Sequence, residues 1–233
     1  MDDPRARLAL ETCLAAGING YTMFVIDASC KEFRTALLQT GVLVDDQTKK
    51  GMGASRRQAL NTGIKSGADI IVWIEPEKHT IIPLLKQCIE SVQDEEFDVA
   101  IPRRKNLDGY AQYQQLSEYR GNWELGNITG RHDLDLFSGP RVMNVKAATM
   151  MAKYTGTCGK NRYGDKWEIL FVPVLWWIKN GLQICSRVVD YVHPIEQRAE
   201  DGPEMRAKRD EQRTSIVHAM SREAKRLGIM SFV

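Results

Sequence analysis

The most constraining feature of the sequence is a run of five apolar residues, 70–74, followed at once by Glu75-Pro76-Glu77. An uninterrupted apolar run bounded by polar residues and a proline is typical of a strand buried on both faces of a parallel sheet. Ligands of open α/β sheets bind beyond the carboxyl ends of the strands, so the two carboxylates stand where a site is expected. Spacing alone leaves open that they cap the next helix or remain in solvent.

Length and composition indicate an ordinary globular protein. A chain of 233 residues can form one domain with a substantial core, and its net charge of +2 gives no reason to expect nucleic-acid binding. The five cysteines lack the spacing of a zinc site, which favours reduced thiols. The most apolar window, 169–178, is shorter than the roughly 20 residues that a bilayer requires. We expect a cytoplasmic protein, with peripheral membrane association left open.

Strand and helix patterns alternate along the first half of the chain. Strands are expected at 21–26, 42–44, 70–74 and 97–101, with helices between them, and this order predicts a mainly parallel α/β sheet. In the second half we expect a helix over 165–180 interrupted at Pro173, a strand over 182–192 and a charged C-terminal helix.

A glycine-containing turn opens the third predicted helix, in the segment 49–57. Backbone N–H groups at a helix N-terminus, together with the nearby cations Lys49 and Arg56, suit a diphosphate. The segment is neither a P-loop nor GxGxxG. Alternatively, its glycines allow close packing and its arginines lie on a solvated face.

Several of these pieces resemble one known family in the same order. Segments 25–27, 53–64 and 71–77 look like the nucleotide-sugar half of GT-A fold glycosyltransferases of the broad family 2 type, and 138–142, 164–168 and His193 resemble the acceptor half. The resemblance implies a Rossmann-like, mainly parallel sheet flanked by helices. It divides the chain into a GT-A-like domain, 1–195, with a nucleotide-sugar half (1–105) and an acceptor half (106–195), and a charged helical extension, 196–233.

The resemblance also implies roles for individual residues. Asp27 would meet the base or ribose, and Lys49 or Arg56 the diphosphate. Glu75 and Glu77 stand at the Asp-x-Asp position of the family, where Mg2+ or Mn2+ would assist departure of the nucleoside diphosphate. The metal ligands implied are Glu77 and His193, and the further substrate contacts are Glu75, Arg141 and Trp167.

If the sugar's configuration inverts, one carboxylate must take the proton from the acceptor hydroxyl. Glu168 and Asp135 are the candidates for this catalytic role, and either can instead be a helix cap or an ion-pair partner.

The leading hypothesis is therefore a metal-assisted glycosyltransferase that uses a UDP-type or GDP-type sugar donor and a small-molecule or lipid-like hydroxyl acceptor. Homo-oligomer formation is left open. The alternative is a non-catalytic GT-A protein that binds a nucleotide sugar or a protein partner. Two departures favour it: the chain begins at the helix that should follow the family's first strand, and Glu75-x-Glu77 is longer by one methylene per side chain than Asp-x-Asp.

Overall fold

The computed structural model describes residues 3–158, 161–194 and 202–229, which form a mixed α/β fold. In these residues the α-helices are α1 (Pro4–Ile18), α2 (Lys31–Gln39), α3 (Met52–Lys65), α4 (Lys86–Gln93), α5 (Gln112–Thr129), α6 (Val145–Ala152), α7 (Val172–Lys179) and α8 (Pro203–Leu227). The strands are β1 (Phe24–Asp27), β2 (Leu43–Asp46), β3 (Ile70–Trp73), β4 (Val99–Arg104), β5 (Arg141–Asn144), β6 (Thr157–Cys158), β7 (Asn161–Arg162) and β8 (Ile184–Val189).

The main sheet has four strands in the order β3-β5-β4-β8. Strand β5 is antiparallel to both β3 and β4, whereas β4 and β8 are parallel. Strands β3, β4 and β8 therefore run in the same direction and end at one edge of the sheet. The chain segments that follow them meet there, as the mainly parallel arrangement predicts.

Strand β5 is the main element that the sequence pattern does not reveal. It has only four residues and is bounded by the polar Arg141 and Asn144, so it looks like part of a loop. The expected helix over 165–180 is also shorter, because a 3-10 turn (Glu168–Leu170) precedes α7 and Pro173 lies in the first turn of that helix.

Helices cover both faces of the sheet. On one face Val99, Ile101 and Met143 join the larger core with residues of α3, α5, α6, α7 and α8. On the other, Ala100 and Val142 pack with α4 and the preceding 3-10 turn (His79–Leu85). Burial of both faces explains why β4 reads as an apolar run.

Strands β1 and β2 form a separate parallel pair, which is not hydrogen-bonded to the main sheet. A groove of about 360 Å³ lies between β1 and β3, lined by Phe24, Leu60 and residues 70–74. Each of β1 and β3 therefore has one edge without a strand partner among the described residues.

The two terminal helices frame the site. Asp3 caps α1 by accepting a hydrogen bond from the Arg5 amide (2.9 Å), with Pro4 at the first helical position, and this Asp-Pro pair is a helix-start signal that the sequence alone provides. Helix α8 packs against α5 and α7. The segment 195–201 lies outside the described residues. No helix in the described part of the chain is long and apolar enough to cross a membrane.

Candidate functional site

An open cavity of about 690 Å³ lies at the carboxyl edge of the main sheet. Segments that follow β3, β4 and β8 contribute to its wall, together with the first turn of α1 and one face of α8. Of the ten side chains singled out from the sequence, five line this cavity: Arg56, Glu75, Glu77, Trp167 and His193.

A partly buried ion pair lines the cavity directly after β3. The ammonium nitrogen Nζ of Lys78 lies 3.3 Å from Oε2 of Glu75 and donates a hydrogen bond to the Ser138 carbonyl (2.7 Å). The Tyr191 ring lies 5.6 Å from Nζ. Burial alone would lower the pKa of Lys78, but the Glu75 carboxylate together with Tyr110 and Tyr191 outweighs burial, and the pKa lies above its ordinary value.

Gly139 makes this ion pair sterically possible. Its φ of +98° is in the region that favours glycine, and a Cβ at this position would overlap the Glu75 carboxylate. The carboxylate is therefore seated against the backbone between the 3-10 turn Leu136–Ser138 and β5.

Glu77 and His193 have different surroundings, although both line the cavity. Burial, followed by the nearby Glu75 carboxylate, raises the pKa of Glu77. The His193 ring is buried and stacks on Tyr110, with ring centroids 3.9 Å apart.

Arg56 brings a second cation to the cavity from α3. Its guanidinium lies 5.2 Å from the centroid of the Trp73 ring and donates a hydrogen bond to the Lys166 carbonyl (2.7 Å). Burial lowers the pKa of Arg56, and the charges of Glu75 and Glu168 oppose that effect. The predicted diphosphate contact thus lies in the same cavity as Glu75, which is far from it in sequence.

The two predicted proton acceptors are both buried. Asp135 forms a two-pronged ion pair with Arg104 (2.7 and 2.8 Å) and accepts a further hydrogen bond from Asn122 (2.8 Å). Burial raises the pKa of Asp135, but the Arg104 hydrogen bonds and charge outweigh this and hold it below its ordinary value. Glu168 accepts hydrogen bonds from the Lys166 amide (3.0 Å) and from the Ser215 hydroxyl.

Three other predicted substrate contacts lie away from the cavity wall. Asp27 ends β1 and accepts a hydrogen bond from the Ser29 amide (2.9 Å), and Lys49 is exposed before α3. Arg141 is fully buried and donates to backbone carbonyls on both sides of β5, including Leu136 (2.7 Å). Their proposed contacts with substrate remain predictions.

Sequence reasoning missed several cavity residues. Lys78 follows Glu77 directly, and its position beside two acids is the one local signal that was available. Residues of α8 carry no such signal, because only the packing of that helix brings them to the cavity. The basic residues of the wall that were not anticipated are Arg5, Lys78, Lys208 and Arg209.

Comparison with known proteins defines the fold class. No protein-family model matches the chain, and no curated protein matches it. The structure is similar to the crystal structure of glucosyl-3-phosphoglycerate synthase from Mycobacterium tuberculosis, with a TM-score of 0.58 at 10% identity over 93% of this chain and 76% of that one. The protein has the GT-A fold of nucleotide-sugar transferases, as its motifs predicted.

Two ligand complexes of the same mycobacterial enzyme are similar as well. The complex with phosphoglyceric acid has a TM-score of 0.62 at 9% identity. The complex with Mg2+ and uridine diphosphate has a TM-score of 0.55 at 11% identity. Each comparison covers 93% of this chain and 75% of the other.

The GT-A fold raises the question of whether a divalent cation fits. In the described ranges no three His, Cys, Asp or Glu side chains form a group that could hold a metal ion. Glu75 is already paired with Lys78. A divalent ion bound to the same carboxylate would lie about 4–5 Å from the ammonium. At an effective dielectric constant of 20 that repulsion is about 8 kcal/mol. Because Lys78 already pairs with Glu75, that carboxylate does not fit a metal ligand, and the implied metal ligands Glu77 and His193 stay a prediction.

Proposed function

We propose that the protein transfers a sugar from a nucleoside-diphosphate sugar to a hydroxyl group of a small acceptor. The observation that carries this proposal is the cavity at the strand ends of a GT-A fold, in which Arg56 and Lys78 lie beside Glu75 and Glu77. Partly buried cations at this edge suit a diphosphate, and the fold alone would not select the activity.

In the proposed reaction the bond between the anomeric carbon and the diphosphate oxygen breaks, and its electron pair stays on the diphosphate. Arg56 stabilises the charge that builds on this leaving group, which is the largest electrostatic demand of the step. The acceptor oxygen forms the new bond to the anomeric carbon. No part of this reaction is assigned to a metal ion, and the predicted metal pair of Glu77 and His193 remains a prediction.

The acceptor proton goes to a carboxylate if the configuration inverts. We place it on Glu168, because the adjacent Trp167 lines the cavity and the Glu168 carboxylate interacts electrostatically with Arg56. Asp135 is the weaker of the two predicted candidates, since Arg104 and Asn122 already engage its carboxylate.

A small acidic acceptor suits the part of the cavity wall that α1 and α8 contribute. Arg5 of α1 and Lys208 and Arg209 of α8 all line the cavity, and they place positive charge there. One structural neighbour binds phosphoglyceric acid and another complex holds uridine diphosphate. These ligands favour a UDP-type donor and a small acceptor as the first pair to test.

The proposal is tested by calorimetric titration of UDP, GDP, UDP-glucose and GDP-mannose, followed by an assay of nucleoside-diphosphate release with candidate acceptors. Arg56→Ala should weaken binding by about tenfold or more, as expected for loss of a charged hydrogen bond. Arg120→Ala is the matched control, because Arg120 is exposed and pairs only with Glu124 in the described contacts. Binding without turnover would favour the non-catalytic alternative, and no binding would contradict the proposal.

A further inference from the structure

Lys78 follows Glu75-Pro76-Glu77 at the end of β3, and unlike most lysines it is largely shielded from solvent. Its side chain is 14% exposed, its Nζ contacts Glu75 and the Ser138 carbonyl, and it lines the cavity. An ammonium group has three N–H donors. Among the described contacts one N–H is hydrogen-bonded to the Ser138 carbonyl, and Glu75 is an ion-pair partner at 3.3 Å, which leaves at least one N–H for a ligand in the cavity.

We propose that the Lys78 ammonium is the built-in cation of the donor site and binds the donor diphosphate directly, so that nucleotide binding needs no divalent metal. This inference rests on the proposed function, since it assumes that the cavity receives a nucleoside diphosphate. Glu75 acts as a positioning residue: it holds the ammonium at the end of β3 and touches no substrate.

Three features of the site support this role. First, the Glu75 carboxylate is fixed against Gly139, so the ammonium that it holds has a defined position. Second, Arg56 reaches the same cavity from α3 and interacts electrostatically with Glu75, so two cations converge on one region. Third, an ammonium is a compact point charge of the kind that binds phosphate oxygens in other nucleotide sites.

A purely structural lysine would have the same contacts with Glu75 and Ser138, so the test must separate the two roles. The decisive variants are Lys78→Met, which removes the ammonium, and Glu75→Gln, which removes the acid but keeps an amide oxygen that can still accept a hydrogen bond from the ammonium and hold it in place. If binding requires a metal that Glu75 helps to hold, Glu75→Gln should be the damaging change. If the ammonium binds the diphosphate, Lys78→Met should be the damaging one.

The experiment titrates UDP and, in parallel, GDP into the whole chain by calorimetry, once in EDTA and once in Mn2+. We expect the wild-type protein to bind one nucleotide with the same affinity within about threefold in both buffers. Lys78→Met should weaken that binding by about tenfold or more, whereas Glu75→Gln should change it by less than about threefold. Lys86→Met is the control, because Lys86 is 79% exposed and pairs with Glu90 on the surface.

A second experiment uses electron paramagnetic resonance to measure direct binding of Mn2+ to the nucleotide-free protein. Wild type should not bind Mn2+ at micromolar concentration, whereas Lys78→Ala, which frees Glu75 beside Glu77, should bind it. If the single Lys78 variants fail to fold, the double variant Glu75→Gln/Lys78→Met removes both charges. It should lose UDP or GDP binding, whereas Glu75→Gln alone retains it.

The outcomes separate the two proposals. Nucleotide binding that requires Mn2+ in the wild type, or that survives Lys78→Met unchanged, overturns the role of Lys78 and leaves sugar transfer standing. Absence of UDP and GDP binding in both buffers overturns the proposed function, and the role of Lys78 with it.

Discussion

The rings of Tyr110 and His193 stack with their centroids 3.9 Å apart and their planes inclined by 19°. Tyr110 follows β4 and His193 follows β8, so the stack joins two neighbouring strand ends at the rim of the cavity. Tyr191 meets the His193 ring edge-on, at 6.4 Å between centroids. The histidine that was predicted as a metal ligand is thus also part of an aromatic cluster.

Replacement of His193 distinguishes these two roles. We expect His193→Phe to retain nucleotide binding within about threefold, because a phenyl ring can keep the stack. His193→Ala should lower the free energy of unfolding by about 1–2 kcal/mol, through loss of the aromatic contact and buried area. Urea unfolding and UDP titration measure the two effects. Equal loss of binding in both variants would show that the imidazole nitrogens matter.

The ion pair between Arg104 and Asp135 predicts a pH-dependent loss of stability. Asp135→Asn should lower the free energy of unfolding by about 3 kcal/mol at pH 7, because it leaves a buried guanidinium short of one counter-charge. The folded pKa of Asp135 lies below its ordinary value of 3.8. The carboxylate therefore stabilises the fold above about pH 4, and this contribution disappears as the pH falls through the lower, folded pKa.

Urea unfolding of wild type and Asp135→Asn between pH 3 and pH 7 checks this prediction. The difference between the two proteins should shrink below about pH 4. Asp133→Asn is the control, since Asp133 is half exposed beside Arg131 and its loss should cost less than about 1 kcal/mol. A constant difference across the whole range would contradict the assignment.

Gly139→Ala should displace the Glu75 carboxylate and the Lys78 ammonium with it. Added Cβ atoms usually cost about 1–2 kcal/mol where φ is positive, and the overlap with Glu75 adds to this. Gly181→Ala is a matched control, because Gly181 has a φ of +69° and no atom within 4 Å of the added Cβ. Urea midpoints should show a clearly larger loss for Gly139, together with weaker nucleotide binding. Equal midpoints would contradict the close contact.

Glu223 anchors α8 to the rest of the fold. It is fully buried and accepts hydrogen bonds from Tyr163, Trp176 and Arg226. Glu223→Gln should lower the free energy of unfolding by about 2–3 kcal/mol, because donors that face a carboxylate lose a charged partner. Glu204→Gln, in the exposed first turn of α8, should cost less than about 0.5 kcal/mol. Unfolding followed by tryptophan fluorescence compares them.

The features that the sequence predicts well are those determined by residues close together in the chain. Examples are the Asp3 cap, the strand at 70–73 and the third helix, each of which depends on neighbouring residues alone. Strand β5 could not be predicted, because the buried Arg141 donates hydrogen bonds to backbone carbonyls that only the folded chain supplies. Its burial is a tertiary effect, and an arginine beside a Gly-Pro pair normally marks a loop.

The site was predicted in part for the same reason. Acids at the end of β3 follow from the strand pattern, and both of them line the cavity, whereas their roles stay predictions. The partner of Asp135, however, lies 31 positions away at Arg104, and the α8 wall is more than 100 positions from α3. Pairings over such distances depend on packing, and a single sequence does not contain that information.

The lack of hydrogen bonds between β1 and β3 in the described residues affects which part of the fold unfolds locally first. Strand β2 is largely exposed, and the small apolar cluster beneath this pair contains Cys13, Leu37 and Val42. With no ladder to the main sheet, β1 and β2 should behave as a cooperative unit of low local stability. Their amide hydrogens should exchange with deuterium well before those of β4. Because Asp27 ends β1, a nucleotide that contacts it would slow that exchange, even if the rest of the sheet showed no change.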